Sequence, residues 1–209
     1  MRGIEHVPWL YDALMSVVER ARFRRWRAWL ADGAAGRVLE IGCGTGRNLP
    51  FYASPPVAID PDFALVRVAR RRAPLARYVV GAAEALPFAP STFDTVVSSL
   101  VLCSVGDPKQ SVQEIACVLR KDGSLRAIEH VRATSGVVAL LQDAGQPFWT
   151  WFTGGCHPNR NTERTIAENS FEIIERRADG VMRRLHARRG AGVSPAAIQR
   201  PAQDRLSAE

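Results

Sequence analysis

The chain has 209 residues, 46% hydrophobic and 23% charged, with a net charge of +7. That length and balance fit one globular domain with a sizeable core and exclude a disordered chain. No apolar run approaches the roughly 20 residues of a spanning helix, and the N-terminus lacks the apolar stretch of a signal peptide, so the chain reads as cytoplasmic.

A helix is predicted over 9–31, where Phe23, Trp26 and Leu30 recur at three- and four-residue spacing between arginines. Asp32, Gly33 and Gly36 end it. A first strand follows over 37–41 and runs into Glu40, Gly42, Gly44 and Gly46. Three glycines on alternate positions let a ligand lie against main chain, because glycine has no Cβ and tolerates positive φ. The second strand covers 56–59, and a helix over 63–72 has Asp62 as its N-cap. Strands at 78–80 and 93–99 come next. Asp107, Pro108 and Gln110 give the next helix a cap, a proline at its first position and a capping-box partner. That helix runs to about residue 119. Residues 121–123 read as a turn before a fifth strand over 124–131. Strands separated by helices predict an α/β fold, a three-layer doubly wound and mostly parallel sheet.

Beyond 131 the pattern changes. Residues 137–152 are apolar and aromatic but broken by Gly145 and Pro147. A short helix is predicted over 161–168 and a sixth strand over 170–176. No convincing seventh strand follows, because Arg183 and Arg184 interrupt the short apolar pair Val181 and Met182. Residues 181–209 therefore read as a basic tail without stable structure.

Charge is concentrated at the two ends. Residues 19–30 hold five arginines and one glutamate, and residues 176–209 hold eight arginines and three acids. The centre is close to neutral, which argues against a nucleic-acid partner. The N-terminal mix of arginines and aromatics suits peripheral contact with an anionic membrane surface. None of the four cysteines forms a CxxC pair, so no metal site is legible and reduced thiols are expected. Oligomeric state is not legible.

The spacing E-x-G-x-G-x-G from Glu40 to Gly46 resembles motif I of the class I S-adenosylmethionine-dependent methyltransferases. A dinucleotide fingerprint fits less well, since Arg47 stands where the third glycine belongs. Four further stretches resemble that family in order: Val57 to Asp60, Gly81 to Phe88, Phe93 to Val97, and Val118 to Gly123. The resemblance implies S-adenosylmethionine as cofactor and assigns roles residue by residue. Gly42, Gly44 and Gly46 would approach its amino-acid end. Glu40 would bond the turn or reach the ammonium group, and Asp60 would grip the ribose. Ala83 and Glu84 would meet the adenine, and Ser99 and Leu100 the methionine portion. Ala82 stands where the family often carries Asp.

Ser99 to Val105 and Ile128 to Val131 resemble the methyltransferases grouped as type 11. Phe148, Trp149 and Phe152, with Gly154 to His157 and Asn159 to Arg164, resemble their thiol S-methyltransferase branch. This implies a small, fairly apolar acceptor: a thiol, hydroxyl, quinol or lipid head group. The resemblance also makes 1–36 a helical lid and 37–180 the cofactor-binding domain, with Trp9, Trp26, Trp29, Trp149 and Trp151 near the acceptor. His130, at the end of the fifth strand, is the candidate general base. His157 beside Cys156 reads as structural. The alternatives are a non-catalytic S-adenosylmethionine-binding protein and, ranked lower, a nucleic-acid methyltransferase.

Overall fold

In the computed structural model the described residues are 22–190. The expected helix over 9–31 is seen from its later part as α1, Arg22–Asp32; its earlier part, with Trp9, lies outside the described residues. Then come β1 (Val38–Ile41), a single 3-10 turn (Leu49–Phe51), β2 (Val57–Asp60), α2 (Phe63–Arg72) and β3 (Arg77–Val80). β4 (Phe93–Ser99), α3 (Pro108–Val118) and β5 (Leu119–His130) follow. The chain goes on through α4 (Gly136–Thr153), α5 (Thr162–Glu168), β6 (Phe171–Asp179) and β7 (Met182–Arg189).

The caps expected at Asp62 and Asp107 form. The Asp62 carboxylate accepts from the N–H groups of Ala64 and Leu65, and Asp107 accepts from Gln110 N, with Pro108 opening the helix. Asn161 caps α5 through Arg164 N.

The seven strands make one sheet in the order β3-β2-β1-β4-β5-β7-β6. β1 to β5 are parallel, and β7 lies antiparallel between β5 and β6. Alternating side chains feed two cores. Leu39, Ile41, Val96, Leu125 and Ala127 point to one face, with Val112 and Ile115 of α3. Val38, Val97 and Ile128 point to the other, with Trp26 and Leu30 of α1. The three-layer α/β architecture is as expected.

Three expectations are corrected. The seventh strand is present, and β7 pairs along eight residues with β6 and seven with β5. Its arginines are accommodated individually. Arg183 forms an ion pair with Glu163 at 2.6 Å, Arg189 donates to Leu119 O at 2.6 Å, and the Arg184 guanidinium lies 5.1 Å from the Trp26 ring centre. Residues 182–189 are thus part of the sheet, and the remainder of the expected tail, 191–209, lies outside the described residues. Second, the turn expected at 121–123 is a bulge within β5, where the register slips between Phe93 and Thr95 on the partner strand. Third, Gly145 and Pro147 do not break the aromatic segment, which is one helix of 18 residues closed by left-handed Gly154. Among the described residues no helix is long and apolar enough to cross a membrane.

Candidate active site

β1 and β4 are neighbours, yet the chain leaves β1 towards β2 and β3 on one side and continues through β4 and β5 on the other. At such a switch point the connecting loops diverge and leave a crevice at the carboxyl ends of the strands. A cleft of about 530 Å³ opens there, a size that suits a nucleotide-containing ligand.

The glycines of the first turn do different jobs, although all three hold positive φ, at +55°, +53° and +77°. A Cβ on Gly42 would stand 2.5 Å from Val101 Cγ2, and one on Gly46 would stand 2.9 Å from the Ala69 backbone. These two glycines permit close packing of the turn. Gly44 has no atom within 4 Å of that position. It lines the cleft, so the free space over it is space for a ligand.

Asp60 closes β2 and is buried. Its Oδ2 accepts from Gly44 N at 2.8 Å and its Oδ1 from Asp62 N at 2.9 Å. The carboxylate is therefore fixed in the cleft wall, one oxygen tied to the glycine turn. Ala83, Glu84, Ser99 and Leu100 also line the cleft. Glu84 Oε1 accepts from Gly106 N at 2.9 Å, which ties the loop after β3 to the loop after β4. Leu100 adopts φ +62°. A leucine in the left-handed region is held there by its surroundings, here by its N–H donating to Ile128 O at 2.7 Å.

Two expected residues stand outside the cleft lining. Gly46 packs against α2, as above. Glu40 is buried behind the turn, where Asn48 Nδ2 donates to its Oε1 at 3.0 Å and Arg27 in turn donates to Asn48 Oδ1. Burial raises the Glu40 pKa to about 7, against the pull of Tyr52, Asn48 and Arg27. Its position makes it a brace for the turn.

The loop after β4 carries the features that sequence reasoning missed. Glu129 on β5 is fully buried. Its carboxylate accepts from Ser98 Oγ at 2.6 Å and from the N–H groups of Val101, Leu102 and Cys103 at 3.2, 3.1 and 3.1 Å. Desolvation pushes its pKa up, and those four donors pull it down. Arg160 Nη1 holds the same loop from the other side, donating to Leu102 O at 3.2 Å and Val105 O at 2.6 Å. Within the Asn159-to-Arg164 stretch, Arg160 thus clamps the cleft wall.

His130 closes β5 but is turned onto thiols. Its Nδ1 lies 3.3 Å from Cys156 Sγ, and Cys156 Sγ lies 3.6 Å from Cys103 Sγ. The Trp149 ring stands edge-on to His130, with centres 6.2 Å apart. The hydrogen bond between Cys103 and Cys156 holds the Cys156 thiol below its ordinary value, and Cys103 rises in return. His130, rather than the neighbouring His157, is therefore the imidazole beside Cys156; His157 Nδ1 pairs with Gln146. The spacing of these residues gave no hint of the group, because the loop after β4, the end of β5 and the loop after α4 each supply one member.

Trp26 and Trp29 of the expected lid pack on the sheet, Trp29 under the Arg126 guanidinium at 4.1 Å. On α4, Phe148 and Trp151 are 65% and 57% exposed just before Gly154, which lines the cleft.

The family described as "Methyltransferase domain" matches residues 39–127. Thiol S-methyltransferase TMT1B of Rattus norvegicus is 37% identical over 150 residues, 66% of this chain and 61% of that protein. Phosphatidylethanolamine N-methyltransferase of Cereibacter sphaeroides is 32% identical over 174 residues, 79% of this chain and 84% of that one. The chain belongs to the class I S-adenosylmethionine-dependent methyltransferases. The solved structure of a SAM-dependent methyltransferase from Thermotoga maritima shares the fold, with a TM-score of 0.71 over 89% of this chain and 98% of that one at 19% identity. The chain thus spans under two thirds of the rat relative's length. The methyltransferase cofactor, S-adenosylmethionine, fits the cleft on this structure's own terms. Free space lies over Gly44, a fixed carboxylate stands at the end of β2, and the cleft volume is about 530 Å³.

Proposed function

We propose that the chain transfers the methyl group of S-adenosylmethionine to a small, fairly apolar acceptor, with a thiol as the leading class. The observation that carries the reading is the pairing of open Gly44 with Asp60, whose carboxylate holds the Gly44 amide at 2.8 Å. Bound there, the cofactor supplies a methyl already activated on a sulfonium sulfur. Asp60 then accepts from ribose hydroxyls, Ala83 and Glu84 border the adenine, and Ser99 and Leu100 border the methionine end. Gly42 and Gly46 shape the turn, and Glu40 braces it from behind.

The chain's contribution to rate is positional. A rigid cleft wall, pinned by Glu129 and Arg160, holds acceptor and methyl in line, which supplies much of the acceleration in such transfers. The exposed aromatics of α4 beside Gly154 suit an acceptor with an apolar body. The thiol class is favoured over hydroxyls, quinols and lipid head groups by the rat relative's name.

Methyl-labelled cofactor incubated with alkyl thiols, phenols, quinols and phospholipids tests the reading. Label is expected in the alkyl thiol fraction. Cofactor binding with no label in any acceptor would instead favour a non-catalytic binding protein.

A further inference from the structure

Cys103, His130 and Cys156 are brought together from three elements and serve no step above. Their ligand atoms all lie within 4.8 Å of one another. Two of the edges are 3.6 Å between the sulfurs and 3.3 Å from Cys156 Sγ to His130 Nδ1. Zinc bonds of ~2.3 Å to sulfur and ~2.0 Å to nitrogen, set tetrahedrally, need edges of roughly 3.8 and 3.5 Å. Those two edges lie within a few tenths of an ångström of that polyhedron, and the third, between Cys103 and His130, is within 4.8 Å. It is far from a disulfide, whose sulfurs bond at about 2.05 Å. We propose that Cys103, Cys156 and His130 bind a thiophilic divalent cation of the zinc class, leaving its fourth position for the sulfur of the acceptor. The second half of this inference rests on the thiol reading above.

The donor set fits the ion. Two sulfurs and an imidazole select zinc-class cations over magnesium or calcium. Two thiolates also neutralise a divalent charge where both cysteines are buried. The ligands are pre-positioned by bonds that bypass their side chains. Cys103 N donates to Glu129 at 3.1 Å, and Cys103 O accepts from His157 N at 2.8 Å. Cys156 O accepts from Thr150 Oγ1 at 2.9 Å. Such outer bonds orient ligands in established sites.

Three protein ligands plus one open position is the arrangement of catalytic zinc. Glu129, a buried acid whose charge acts on both thiols, already accepts four donors through its oxygens. Ser104, next to Cys103, and Gly154, two residues before Cys156, both line the cleft. A small thiol entering from the cleft would meet the cation there. Its S–H bond breaks, the proton leaves to solvent, and the sulfur lone pair binds the metal as thiolate. His130 is then a ligand, and no general base is required.

Cobalt(II) titration of the reduced full chain, under a phosphine reductant, is the test. The expected result is one cobalt per chain with a thiolate-to-cobalt charge-transfer band and tetrahedral ligand-field bands. Zn²⁺ should displace it, and an alkanethiol should shift the bands. Cys156→Ser and His130→Ala should each weaken Zn²⁺ binding more than about tenfold, and Cys117→Ser should not. Circular dichroism and S-adenosylmethionine titration confirm that the variants are folded. Absent charge transfer, or bands unchanged in Cys103→Ser/Cys156→Ser, would overturn the site. Bands indifferent to alkanethiol would overturn its open position. Intact bands in a chain that methylates no thiol would contradict the proposed acceptor and leave the metal site standing.

Discussion

Glu129 and Ser98 meet between neighbouring strands, the hydroxyl donating to the carboxylate at 2.6 Å with both residues fully buried. The same carboxylate gathers three consecutive N–H groups of the loop after β4, so one side chain fixes a wall of the cleft. Glu129→Gln replaces an acceptor oxygen with an NH₂ that faces donors. An unsatisfied buried donor costs about 1–3 kcal/mol, more where a charge is involved. The variant should lose about 2–4 kcal/mol in guanidinium unfolding, and its cofactor affinity should fall with it. Wild-type stability would refute the pinning role.

Glu40 gives a pH signature. Its folded pKa of about 7 exceeds the ordinary 4.5 because burial penalises the anion. The folded state therefore holds the proton more tightly than the unfolded state. The contribution is fully present below about pH 4.5 and is lost as pH rises through 7. At about 1.4 kcal/mol for each pH unit between those values, wild type should lose about 3 kcal/mol relative to Glu40→Gln between pH 4 and pH 8. Denaturation at those two pH values measures it. A pH-independent difference would place the Glu40 carboxyl in a more solvated setting.

The glycines should separate under substitution. Gly44→Ala meets open space and suffers the left-handed conformation alone, about 1–2 kcal/mol. It should remain folded and lose cofactor affinity, because its methyl occupies the ligand's side of the turn. Gly42→Ala adds an overlap with Val101 and should lose a further ~1–3 kcal/mol. Thermal melts beside binding curves would show the contrast. Equal effects on stability and binding in both variants would refute the division of labour.

The parallel half of the sheet was legible because its signals are local. Apolar runs end in glycines or acids, and Asp62 and Asp107 announce their helices. β7 was not legible because its sequence, MRRLHARR, carries four arginines, three of which are accommodated by distant partners: Glu163, Leu119 O and the Trp26 ring. α4 was misread as interrupted because Pro147 weakens the helical pattern locally, whereas the structure carries the helix through it. At the site, Asp60, Gly42, Gly44, Ala83, Glu84, Ser99 and Leu100, which the motif order singles out, line the cleft. Glu40, which the motif could set either on the turn or at the ligand, is buried behind the turn. The Cys103, His130 and Cys156 group joins positions 26 and 27 residues apart, and only the sheet topology brings such positions together.

The central claim is tested most directly by calorimetric titration of S-adenosylmethionine into wild type and Asp60→Asn. The account predicts one site per chain in wild type, and an affinity roughly 10- to 100-fold weaker in the variant, the worth of a charged hydrogen bond in a cleft. No binding to wild type, or equal affinity in both proteins, would contradict it.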